Sequence, residues 1–183
     1  MLIKHPKVLA RFQEEINKIL GDDISRQITY EDLEKFTYLD AILKESTRIL
    51  SLTPFTPRVS TEESVIGGYH FDANTSFFIY HEKIHKSPDT WKDPDQFIPE
   101  RFLKESNNEI VKNSFVPFGG GVRICPGRHA AMIELKTLLI LLFRKYNVEL
   151  VDMVSEKPKM KYAVVYTCTD MKAVVSPKKG IKV

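Results

Sequence analysis

Phe118-Gly119-Gly120-Gly121-Val122-Arg123-Ile124-Cys125-Pro126-Gly127-Arg128 sets three glycines and a cysteine directly before a long apolar stretch. Glycine has no Cβ, so three in a row permit a tight turn with close backbone approach. Proline is tolerated in the first turn of a helix, and Pro126 marks such a start. Cys125 then stands at a helix entrance, facing unpaired N–H groups and the positive end of the helix dipole. Both favour thiolate over thiol, and Arg123 adds positive charge two residues earlier. The position suits a thiolate metal ligand or a reactive cysteine. It also suits a buried, inert cysteine beside a glycine-rich loop. A phosphate loop does not fit, because no Lys-Ser/Thr follows the glycines at the required place.

The rest of the chain bounds what such a loop can belong to. It has 183 residues, a net charge of +3, 43% hydrophobic residues and 28% charged residues. Those proportions exclude wholesale disorder, collagen and a coiled-coil rod. Two cysteines, Cys125 and Cys168, exclude a disulfide scaffold and any Cys-x-x-Cys zinc or redox site. The longest unbroken apolar run, Leu138 to Phe143, is far short of a membrane span. The start, Met1 to Pro6, lacks the apolar stretch of a signal peptide. The slight excess of base is scattered, so nucleic-acid binding has no compositional support.

Hydrophobic periodicity predicts helices over about 6–20, 33–50 and 126–146. Their apolar stripes include Phe12 and Ile16, then Leu39, Ile42 and Leu43, then Ile133, Leu135, Leu138 and Leu139. β-hairpins are expected over about 58–80 and 162–176, the second turning at Thr169-Asp170. Between them, 85–127 is rich in proline and turn residues, Asn107 and Asn108 among them, and reads as ordered coil. Helices and strands are segregated rather than alternating, so the fold class is α+β, mostly α. A coil this long inside a compact domain usually has a function.

Two further clusters carry possible chemistry. Glu45 and Arg48 share a helix face at i, i+3. As a solvated surface pair they would contribute well under ~1 kcal/mol. His81-Glu82-Lys83-Ile84-His85 matches the His-Glu-x-x-His zinc pattern, with Glu100 or Glu105 as a third ligand on paper. That pattern needs a helix, yet the residues before it look strand-like and Pro88 follows closely.

Four elements occur together in order: Glu45-x-x-Arg48, then Arg58, then His85 through Pro99-Glu100-Arg101-Phe102, then the cysteine loop. The set resembles the carboxy-terminal, haem-proximal part of the cytochrome P450 family, the haem-thiolate monooxygenases. The resemblance covers nearly the whole chain and makes the zinc reading a poor one. It implies haem b as cofactor, with Cys125 the axial thiolate on iron, pushing electron density onto the metal. It implies that Phe118 shields the ligand and that Gly119 and Gly121 shape its loop. Arg123 and Arg58 match the positions that pair with haem propionates. Glu45, Arg48 and Arg101 would form a buried structural triad binding the second helix to the meander, the proline-rich coil within 85–127 that precedes the cysteine loop.

The implied reaction is insertion of one oxygen atom from O₂ into an apolar small molecule. Cys125-Pro126-Gly127-Arg128-His129, followed by the helix that holds Glu134-Leu135-Lys136, is similar to enzymes acting on sterols or other lipids. Electrons would come from a flavoprotein reductase on the cysteine side, near Lys83, Lys86, Lys92 and Arg128. The family's eukaryotic members imply a cytosol-facing place at the endoplasmic reticulum membrane. Other uses of the fold stay open: peroxide rearrangement or dehydration, and haem binding without turnover. The family chain is more than twice this length. The amino-terminal half and the central oxygen-handling helix have no counterpart in 1–183, which reads as one partial domain. Apolar surface on the first and third helices is therefore expected to be exposed, and haem retention by this chain to be weak or absent. Cys168, in a strand-like run, is expected to be a small core residue.

Overall fold

The computed structural model describes residues 1–106, 110–151 and 159–178. Asn107 and Asn108 lie outside them. The first helix, α1 (Pro6–Leu20), opens on its proline and buries Phe12, Ile16 and Leu20. Gly21 ends it at φ 67°, a left-handed value that suits glycine, and donates its N–H to the Asn17 carbonyl.

The second expected helix is in fact two, α2 (Tyr30–Lys35) and α3 (Thr37–Ile49). A capping box starts α2 earlier than the apolar period suggested: the Asp32 N–H donates to Thr29 Oγ1 and the Thr29 N–H to Asp32 Oδ2. Phe36, fully buried, breaks the run at ψ 74° and plugs the corner between the two helices. The start of α3 has no cap of its own. Glu15 on α1 supplies one from outside, accepting the N–H of Tyr38 at 2.7 Å and of Leu39 at 2.9 Å. Glu15→Ala should therefore cost about 1–2 kcal/mol, the scale of a lost helix cap, in urea denaturation. Glu15→Gln, which keeps one acceptor oxygen, should cost less.

The last helix, α5 (Arg128–Lys145), begins two residues after Pro126, with Gly127 at its N-cap. Ile140 and Phe143 enter the core, joined by the half-buried Met132, Ile133, Leu139 and Leu142. Leu135 and Leu138 from the expected stripe lie on the opposite, exposed side with Leu141. The helix is apolar on two faces, so periodicity alone misassigns its inner one. Expected exposure of the third helix is thus seen. The apolar face of α1 is instead covered: Phe12 packs edge-on against Phe143 at 5.9 Å, and Ile16 and Leu20 join the same core as Leu39 and Ile42.

Four two-stranded antiparallel ladders complete the described fold. β1 (Thr56–Val59) pairs with β4 (Ser76–Ile79) and sets Arg58 opposite Phe77. Between them, β2 (Ser64–Ile66) and β3 (Tyr69–Phe71) form a hairpin turned by Gly67-Gly68, both at positive φ. The short helix α4 (His81–His85) follows. The closing region departs from the expected hairpin. β5 (Tyr146–Val151) pairs with β8 (Lys172–Pro177), whereas β6 (Met160–Tyr162) pairs with β7 (Tyr166–Cys168). Thr169 and Asp170 bend the chain between β7 and β8, but those two strands do not pair with each other. The Thr169 N–H donates to the Lys159 carbonyl, and Asp170 Oδ1 accepts the Lys159 N–H, so they clamp the open end of β6–β7. Cys168 at that end is exposed and belongs to no core, against the expectation.

Candidate functional site

The cysteine loop is built from its own backbone. The Gly119 N–H donates to the Val116 carbonyl at 3.0 Å, and the Cys125 N–H to the Phe118 carbonyl at 2.9 Å. Gly119 and Gly121 hold φ of 76° and 62°, where a side chain would be strained. One 3₁₀ turn, Gly121–Arg123, carries the chain round to Cys125. The cysteine is exposed, against the reading of it as buried. Phe118 is half-buried beneath the loop. It helps line a cavity of ≈ 380 Å³ with Phe115, Pro117, Met132 and Ile133.

Arg123 is exposed and Arg58 is half-buried on β1. Among the described residues neither joins an ion pair; Arg58 donates to the carbonyl of its neighbour Pro57 at 2.8 Å. A sulfur open to solvent and two guanidiniums without carboxylate partners among the described residues have the chemistry that suits an anionic, iron-bearing group such as haem.

Glu45, Arg48 and Arg101 come together as the expected triad. Arg48 Nε meets Glu45 Oε2 at 2.8 Å, Arg48 Nη2 meets Oε1 at 2.9 Å, and Arg101 Nε meets Oε1 at 3.3 Å. Glu45 and Arg48 are fully buried, so the solvated-pair reading is wrong here. The Ile98 N–H also donates to Glu45. Arg48 sends its other donors to the carbonyls of His85, Pro94 and Gln96, and Arg101 donates to that of Asp93. α3 is thereby bolted to the meander. Trp91 lies under the Arg48 guanidinium, 5.0 Å from its carbon.

His81 to His85 is helical, contrary to expectation, but the zinc arrangement is not made. His85 Nε2 accepts the Val116 N–H at 2.9 Å, and its Nδ1 lies 3.0 Å from Ser51 Oγ. His81 Nε2 is 3.1 Å from Thr56 Oγ1. Glu82 pairs with Lys86, and Glu100 with Arg11 and the Tyr38 hydroxyl. No His/Cys/Asp/Glu metal cluster exists among the described residues. Burial, with His81, Arg48 and Lys86 nearby, holds His85 down to about 4, so its ring is neutral at pH 7.

The architecture matches solved haem domains. The chain superposes on the crystal structure of the cytochrome P450DA heme domain with a TM-score of 0.88 and 27% identity, covering 97% of this chain and 38% of that one. Such a likeness defines the class as haem-iron proteins. The family model named Cytochrome P450 matches residues 1–176. Relatives include Cytochrome P450 82A1 of Pisum sativum, 40% identical over 69% of this chain and 24% of its own length. Flavonoid 3',5'-hydroxylase CYP75B138 of Crocosmia x crocosmiiflora is 36% identical over 88% of this chain and 32% of its own. Probable cytochrome P450 4d20 of Drosophila melanogaster is 30% identical over 99% of this chain and 35% of its own. This chain belongs to the cytochrome P450 family. It spans about a quarter to a third of the length of these relatives.

Proposed function

We propose that the chain is the ligand-bearing portion of a haem-thiolate monooxygenase acting on an apolar substrate. The observation that carries this reading is Cys125, exposed at the end of a glycine turn that only glycine adopts without strain and three residues before α5. Bound haem would supply the iron at which oxygen is activated for transfer. Cys125 would hold that iron through its sulfur. Arg123 and Arg58 would bind the propionate carboxylates, and Phe118 with Gly119 and Gly121 would keep the loop in shape and exclude water from the sulfur. Glu45, Arg48 and Arg101 hold the meander rather than touch the reaction.

A flavoprotein reductase as electron donor fits the exposed Lys83, Lys92 and Arg128; Lys86 is already engaged by Glu82. A sterol- or lipid-like substrate and a parent at the endoplasmic reticulum membrane, facing the cytosol, complete the proposal. Among the described residues no helix is long and apolar enough to cross a membrane.

Reconstitution with haem, reduction and exposure to CO tests the reading. Whatever haem the wild type retains should give the red-shifted Soret band of thiolate ligation, and Cys125→Ala should lose it. A thiolate band that survives in Cys125→Ala would overturn the assignment, whereas no haem spectrum in wild type would mean that these residues by themselves do not build the pocket.

A further inference from the structure

We propose that His85 is a positioning residue for the cysteine loop, acting through the Val116 amide. His85 is fully buried at the end of α4, far from the loop in sequence. Its Nε2 accepts the Val116 N–H at 2.9 Å, so that nitrogen carries no proton. The ring proton of the neutral imidazole therefore sits on Nδ1 and is donated to Ser51 Oγ, 3.0 Å away. The tautomer follows from the amide, because a backbone N–H can only donate.

Val116 is held from both ends. Its N–H goes to His85, and its carbonyl accepts the Gly119 N–H that opens the glycine turn. Within that turn the Phe118 carbonyl takes the Cys125 N–H. A continuous path therefore runs from Ser51, just past α3, through the imidazole to Val116, Gly119 and the cysteine. The His85 backbone joins the same frame, because its carbonyl accepts Arg48 Nη1 at 2.8 Å. One residue thus couples the buried triad to the loop, by its backbone on one side and its ring on the other.

An acceptor is required at this place. The Val116 N–H pairs with no strand or helix, and an amide N–H shut away from water without a partner is costly. The setting is apolar, with the Phe115 ring 5.5 Å from the imidazole, and a neutral ring nitrogen reaches in without bringing charge. Placement of the loop stands on these contacts alone. Its purpose, aiming the Cys125 sulfur, rests on the reading of Cys125 as ligand.

The test uses side-chain geometry. Gln places its amide oxygen near the position of Nε2, whereas Asn reaches only as far as Nδ1. In the ¹⁵N-labelled chain, a through-hydrogen-bond coupling should link the Val116 nitrogen to His85 Nε2. Alkylation of Cys125 by a neutral maleimide should change several-fold in His85→Asn and stay near wild type in His85→Gln. Cys168, exposed on β7, serves as the internal control and should react alike in all three chains. Equal behaviour of Gln and Asn, or parallel changes at both cysteines, would overturn the proposal. If His85→Asn does not fold, the wild-type coupling decides: its presence supports the contact and its absence refutes it. Failure of the thiolate spectrum would leave these results standing, so the two readings fail separately.

Discussion

Arg48→Met is expected to lower stability by about 3–5 kcal/mol, enough to leave much of the chain unfolded near 37 °C. The reason is not a single ion pair. A guanidinium has five N–H donors, and at Arg48 all are used: two sites on Glu45 and the carbonyls of His85, Pro94 and Gln96. A thioether leaves those carbonyls without donors. It also leaves the fully buried Glu45 carboxylate with only Arg101 and the Ile98 N–H. Arg48→Lys restores charge but not the planar fork, so it should recover only part of the loss. Equilibrium urea denaturation followed by circular dichroism reads both. A loss under ~1 kcal/mol in Arg48→Met would mean the cluster behaves like a surface pair after all.

Trp91→Ala should cost a similar amount, about 3–5 kcal/mol, the range for emptying a large buried aromatic site. The indole is 4% exposed and sits between the guanidinium of Arg48 and the rings of Phe102 and Phe115. Its Nε1–H donates to the Ser114 carbonyl at 3.3 Å. Truncation removes the packing, the cation–π contact and that bond together. Trp91→Phe keeps the first two in part and should lose much less. Trp91 is the only tryptophan in the sequence, so its fluorescence in wild type reports on this junction alone. A red shift of its emission should coincide with loss of the helical signal. A shift well before global unfolding would show the meander detaching first and would argue against a shared core.

Legibility of the sequence varied with the range of the forces involved. The glycine turn, the helix expected over about 6–20, and the i, i+3 spacing of Glu45 and Arg48 are local, and they read correctly. The split at Phe36 did not, because Glu15 caps α3 from another helix and no local residue announces it. α5 misled for a different reason: Leu135, Leu138 and Leu141 make its outer face as apolar as its inner one. The pairing of β6 with β7 depended on Lys159 meeting Thr169 and Asp170, a contact that alternation cannot reveal. The anchoring part played by His85 was hidden by its place in a zinc-like pattern. Its true partners, Ser51 and Val116, lie far from it along the chain. Resemblance to a known family supplied Arg101 as the third member of the triad, which spacing alone would not have done.

The Arg48 guanidinium also bears on the order in which the molecule assembles. Its bond to Glu45 spans three residues and can form as soon as α3 does, but its carbonyl partners lie 37, 46 and 48 positions away. Until the meander arrives, water serves those donors and the charge stays hydrated. Dehydration falls due in one step, when all three carbonyls are in place together, because a half-docked meander would strip water without replacing it. Partial docking is thereby penalised at both ends. The residue acts as a checkpoint that makes the joining of helix and coil all-or-none, and so ties a segment rich in irregular backbone to the cooperativity of the helical core.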